Sequence, residues 1–232
     1  PQPDHDGWDG CRNGGSGTGS INNGSSNYDG VMPDLDSGTY YTRRSFFYID
    51  TTTRPELEFI LNRAIDSIDF LVAGREDGES PGGESVILQE ATHSSTLSTS
   101  DYDSINTSAG AMSQAISWDN FRVYPNPYNT FSLNPNGENY TTSQINSGSP
   151  VKFAIRQYDN DYLDNAPTSS SLTRTGIWYS ESAYKPKLKI TYYKIPEWTE
   201  HNDTTSWNVS PGSYSGGVFH PDGAGEIVLT PN

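Results

Sequence analysis

The chain has one cysteine, Cys11, in 232 residues. No intrachain disulfide is possible, and the thiol count gives no sign of an oxidising compartment. Basic residues are also scarce: 14 Lys plus Arg stand against 29 Asp plus Glu, a formal charge of −15. So acidic a chain has no electrostatic footprint for a phosphate backbone or an anionic membrane surface, and no nucleic-acid partner is expected. Hydrophobic residues make up 32% of the chain. No run approaches the ~20 apolar residues of a membrane span, so no membrane insertion is expected. The four histidines, His5, His93, His201 and His220, lie far apart, with none in zinc-ligand spacing. There is no Gly-x-Ser-x-Gly elbow and no internal repeat of fixed period.

Aromatic residues are plentiful, at 12%, and 15 of them are Tyr. Disordered chains are poor in aromatics, so most of this chain should fold. Residues 1–44 carry a Gly-, Asn- and Ser-rich run and read as an N-terminal arm, with one early strand around Tyr28 to Met32. Residues 45–195 hold short strand candidates separated by turn residues. Residues 45–50 are aromatic and β-branched. Ile68, Phe70 and Val72 alternate with their neighbours, as do Val151, Phe153 and Ile155, and Leu188, Ile190 and Tyr192. Residues 86–89, 121–124, 129–133 and 176–180 are further candidates, and 55–62 could form a turn or two of helix. The Ser- and Thr-rich residues 91–120 read as a long connection with one or two short strands. Residues 196–232 form a tail with strand material at 218–219 and 227–229, too small for its own core. Many short strands with no strand–helix alternation predict an all-β fold: an antiparallel β-sandwich, jelly-roll-like, with long loops.

Two acidic groups are candidates for a hard cation, which takes several oxygen ligands. Asp4, Asp6 and Asp9 surround Gly7, without the closing acid of an EF-hand. Asp159, Asp161 and Asp164 form the denser group, in a loop anchored by the strand before it. Several carboxylates in one loop repel unless a cation sits among them, so one structural Ca²⁺ is the metal candidate here. The alternative is a solvated loop in which Asp and Asn cap the backbone. Trp118, Tyr124, Tyr128, Tyr158 and Tyr162 fall at predicted loops and strand ends beside Asn and Asp. They are the candidate contact residues for a glycan or a protein partner, the alternative being that each packs a half-buried sheet edge.

The order of several segments resembles the DNRLRE-type β-sandwich domain of secreted bacterial and phage-associated proteins. The pieces are Arg44-Ser45-Phe46-Phe47-Tyr48-Ile49-Asp50, Ala64-Ile65-Asp66-Ser67-Ile68-Asp69-Phe70, and Val151 to Arg156 followed by Asp159-Asn160-Asp161. Trp178-Tyr179-Ser180-Glu181 and Pro186-Lys187-Leu188-Lys189-Ile190-Thr191-Tyr192 close the series. The resemblance covers about residues 4–193. It implies a sandwich used for display, adhesion or glycan contact, without catalysis. Glycosidase carboxylate pairs are set by separation in space, not by spacing in sequence. No catalytic residue is singled out, and the chain is read as not an enzyme. The expectation is a structural or adhesion subunit of an extracellular assembly: a virion decoration, collar or fibre protein, or a bacterial surface filament. Its partners would be copies of itself or other subunits. The alternative is a carbohydrate-binding module of a secreted or cell-surface protein.

Overall fold

The computed structural model describes residues 2–4, 7–13, 28–36, 38–52, 54, 57, 63–76, 85–117, 128–168, 175–178, 184–194, 212–215, 218–221 and 225–229. It is mostly β, with two antiparallel sheets packed together in a sandwich-like arrangement and few short helices. The strands are β1 (Gln2–Asp4), β2 (Tyr28–Asp36), β3 (Thr39–Arg43), β4 (Ser45–Ile49), β5 (Arg63–Glu76), β6 (Ser85–Glu90) and β7 (Ile116–Ser117). They continue with β8 (Tyr128–Ser132), β9 (Val151–Gln157), β10 (Thr175–Trp178), β11 (Lys187–Lys194), β12 (Gly212–Ser215), β13 (Val218–Pro221) and β14 (Gly225–Leu229). Helices α1 (Trp8–Arg12) and α2 (Pro135–Asn146) interrupt them.

The larger sheet runs β1-β3-β2-β10-β5-β11-β14, with β8 also paired to β5. The smaller runs β4-β9-β6-β7. β5 organises the larger sheet because its alternation is sustained. Ile68, Phe70 and Val72 are buried, and β11 and β8 pair along the same stretch, so that Phe70 stands opposite both Leu188 and Phe131. The sheets meet through aromatic rings. Phe70 lies 5.1 Å from Phe47 of β4 and 5.1 Å from Phe153 of β9. Around this contact Ile49, Leu88, Val151, Ile155, Leu188 and Ile190 close the core.

β6 and β9 are buried on both faces. Val86 and Leu88 point into the core, while Ile87 and Gln89, and likewise Ala154 and Arg156, are buried on the outer face. The chain after β6 covers that face. His93 meets Phe46 and Tyr48 of β4 edge-on, and Tyr102 lies under the Arg44 guanidinium at 4.1 Å. The chain then returns to the edge of β6 through the Ala91–Ile105 and Gln89–Ala111 bridges. The long connection read from sequence is therefore a structural cover.

Several strand candidates coincide with strands: 45–50 with β4, 86–89 with β6, 129–133 with β8 and 187–193 with β11. The candidates at 121–124 and most of 55–62 lie outside the described residues. Two departures stand out. β5 runs past Val72, the last residue of the alternation read from the sequence, to Glu76 and pairs there with β10. Residues 8–12, read as loop, form α1, which buries Trp8 and Cys11. The tail, for which packing on the body is one of the possibilities left open by the sequence, packs there through β14, which pairs with β11 and joins the larger sheet.

Candidate functional site

The densest group of ionisable side chains described here lies where the N-terminal helix, the crossover between the sheets and the end of β9 converge. Arg44 is the single residue between β3 of one sheet and β4 of the other. Arg156 sits near the end of β9, on the face opposite Phe153 and Ile155. After β9 the chain makes one wide helical turn, Tyr158–Tyr162, whose start is capped by Gln157; its side-chain oxygen accepts from the backbone N–H groups of Asn160 and Asp161. This turn drives Asp161 inward, and it is fully buried.

Asp161 receives two bidentate guanidinium forks. Arg44 Nε donates to Oδ2 and Nη2 to Oδ1, both at 2.8 Å. Arg156 Nε donates to Oδ2 at 3.0 Å and Nη2 to Oδ1 at 2.6 Å. Four donors thus occupy the lone-pair positions of the carboxylate. The Asp161 carbonyl accepts from Arg12 Nε at 2.7 Å and from Arg156 Nη2 at 2.6 Å. Arg44 is equally saturated: its other bonds go to the Tyr102 carbonyl, Asp103 Oδ1 and the Arg12 carbonyl. Arg156 Nη1 donates to Gln89 Oε1 at 2.6 Å. Burial alone would raise the Asp161 carboxyl, but the charge and hydrogen bonds of Arg44, then those of Arg156, hold it well below the usual carboxylate range. The same carboxylate holds the Arg44 guanidinium above its ordinary value against the opposing effect of burial.

The three acids of the candidate Ca²⁺ loop are brought near one another, but each faces a different donor. Asp161 faces the arginines. Asp159 Oδ2 accepts from the Ser85 backbone N–H at 2.8 Å. Asp164 Oδ1 accepts from Trp8 Nε1 at 3.2 Å and lies 3.3 Å from Arg12 Nε. Among the described residues no three His, Cys, Asp or Glu side chains are arranged to hold a metal ion. The cations that answer the charge of this loop are guanidinium groups of the chain itself. Of the earlier acidic group, Asp9 is exposed on α1, Asp4 is in β1, and Asp6 lies outside the described residues.

The candidate contact residues separate. Tyr158 and Tyr162 stand on the same turn with their rings stacked, centroids 5.4 Å apart and planes at 17°. Both are half-buried, and the next residue, Leu163, is 47% exposed. Tyr128 belongs to β8, away from this turn in sequence. Its hydroxyl donates to the Lys185 carbonyl, and Lys187 Nζ lies 4.2 Å from its ring centroid. Trp118 and Tyr124 lie outside the described residues. Sequence reasoning nominated Asp161 but missed its partners Arg12, Arg44 and Arg156, and the Gln89 and Tyr102 groups that those arginines bind in turn. A signal existed: Arg44 and Arg156 each stand where an apolar-in, polar-out strand leaves a charge on the outer face. What the pattern cannot tell is that the outer face is covered.

Comparison of the chain with protein-family models, with curated proteins and with solved structures gives no match.

Proposed function

We propose that the chain is a non-catalytic structural or adhesion subunit of an extracellular assembly, either a virion decoration, collar or fibre part or a unit of a bacterial surface filament. The observation that carries this reading is the hairpin of β12 and β13. These strands pair with each other from Gly212 opposite Pro221 to Ser215 opposite Val218, and with no other strand among the described residues. A two-stranded hairpin alone is marginal in water. A neighbouring subunit that accepts it, by strand addition or by packing, supplies the missing layer. The acidic surface fits the same role, since like charge keeps free subunits soluble and apart until a specific contact forms. The arginine–aspartate cluster supports it from inside: its hydrogen-bonding capacity is taken up by internal contacts that lock five segments together. The DNRLRE-type resemblance read from the sequence points to the same class.

A second reading, a carbohydrate-binding module, is favoured by the stacked pair Tyr158 and Tyr162 on a turn braced by the cluster.

The test must spare β14, because that strand belongs to the larger sheet. Residues 212–221 are replaced by a short Gly-Ser linker, and both proteins are followed by light scattering and thermal melting. The expected result is an oligomer for the full chain and a monomer of similar melting midpoint for the variant. A full chain that stays monomeric across the concentration range, or a variant that assembles as well as the parent, overturns the structural reading.

A further inference from the structure

A trough of about 660 Å³ runs along one side of α2, well apart in sequence from the arginine–aspartate cluster. Glu138, Asn139, Thr142, Ser143, Asn146 and Ser147 line its wall, and Ile65 of β5 lines the facing side. Two local features build it. On α2 the residues Gly137, Thr141 and Ile145 recur at four-residue intervals and are buried, which turns the neighbouring rows, 138–142–146 and 139–143, toward the trough. On β5 the register against β11 skips Asp66, so that Ser67 pairs with Thr191 but Ile65 pairs with Tyr192. This bulge brings Ile65 onto the inner face, where it packs against the core, with Tyr192 beside it on that face.

The chemistry of the wall selects its ligand. Among the described residues it offers two carboxamides, three hydroxyls and one carboxylate, and no Lys or Arg, so phosphate or carboxylate groups find no counter-charge there. One carboxylate is too few to cage a hard cation. One apolar residue is too little for a lipid or aromatic ligand, whose sites are predominantly apolar. Among the described residues, the side chains of Glu138, Asn139, Thr142 and Asn146 take no hydrogen bond, so their donors and acceptors are available to a ligand. From Glu138 to Asn146 is eight residues, about 12 Å along the helix. The trough is open to solvent, which suits a chain lying in it.

We infer that this trough binds a neutral oligosaccharide, a few sugar rings laid along α2. Glu138 and the two carboxamides would take the hydroxyls, and Ile65 would meet the apolar face of a ring. The inference adds a ligand to the structural reading without resting on it, and it places saccharide contact at α2 and not at the tyrosine turn.

The experiment titrates isotopically labelled full-length protein with soluble glucan, mannan, galactan and N-acetylglucosamine oligomers and follows backbone amide shifts. At least one oligomer is expected to move amides in 138–147 and at Ile65. Asn139→Ala/Asn146→Ala should weaken that binding at least tenfold at an unchanged melting midpoint, and Tyr158→Ala should leave it alone. Thr142→Arg, which fills the trough from an exposed helix row, gives the same loss should the double variant fold poorly. No shift at millimolar concentration of any of these oligomers, or shifts centred on 158–163 and lost in Tyr158→Ala, overturns the inference. Loss of assembly in the hairpin variant is measured separately, so the two proposals fail independently.

Discussion

Asp161 holds its position because two guanidinium forks and the turn that carries it agree on where the carboxylate must be. Removing that charge leaves Arg44 and Arg156 buried without their counter-ion, the situation in which breaking a buried ion pair costs about 3–5 kcal/mol. Asp161→Asn keeps the shape and removes the charge, so it should lower unfolding stability by that order in a urea titration near neutral pH. A loss within about 0.5 kcal/mol would mean that the cluster is solvated. Because the folded carboxyl lies below its ordinary value of 3.8, this stability is fully present above pH 4 and is lost as the solution is acidified further. His93 works in a higher window. It is 2% exposed, its Nδ1 has no hydrogen-bond partner, and burial followed by the nearby Lys152 charge lowers it to about 4 from the ordinary 6.5, against a smaller opposing effect of Asp101. Between pH 6.5 and about 4 the unfolded chain takes up a proton that the folded chain refuses, so stability falls with pH across that interval. The loss is up to about 3 kcal/mol. His93→Leu should flatten this part of the stability–pH profile, and profiles of equal slope would remove the explanation.

At the scale of the element, α2 shows why some structure was legible in the sequence and some was not. Its stop and start residues are conventional: Asn134 accepts from the Gly137 backbone N–H, and Pro135 occupies the first helical position. Its interior is not, since 135–146 is polar and contains glycine, and no apolar stripe announces a helix. Gly137 is there for close approach. A Cβ at that position would stand 2.6 Å from the Met112 backbone oxygen and 3.1 Å from Leu133 Cβ. Gly137→Ala should gain up to about 1 kcal/mol of helix propensity and lose more to overpacking, which costs typically 1–3 kcal/mol. The expected net effect is a lower melting midpoint, measurable by circular dichroism; a raised midpoint would show that Met112 yields freely. The strands were easier to read. β4, β5 and β11 alternate in sequence as they do in burial, because one face of each meets the core. β3 was missed because Tyr40 and Tyr41 are half-buried and present no clean alternation.

For the whole molecule, the two-sheet sandwich followed from strand spacing and the absence of strand–helix alternation. Pairing order did not follow, because β5 accepts β8, β10 and β11 along one length, and local sequence does not encode partners so distant. The cluster was half legible for the same reason. Its acids lie within a few residues of each other, while Arg12, Arg44 and Arg156 come from three separate parts of the chain. The trough beside α2 was invisible, since it needs both a polar helix and a bulge on another strand.

The larger sheet begins at one border with β1, from the first residues, and ends at the other with β14, from the last. Any tether attached beyond either strand therefore leaves from opposite borders. Tension drawn between them is carried sideways through every intervening strand pair, and the borders, β1 against β3 and β14 against β11, are where peeling would begin.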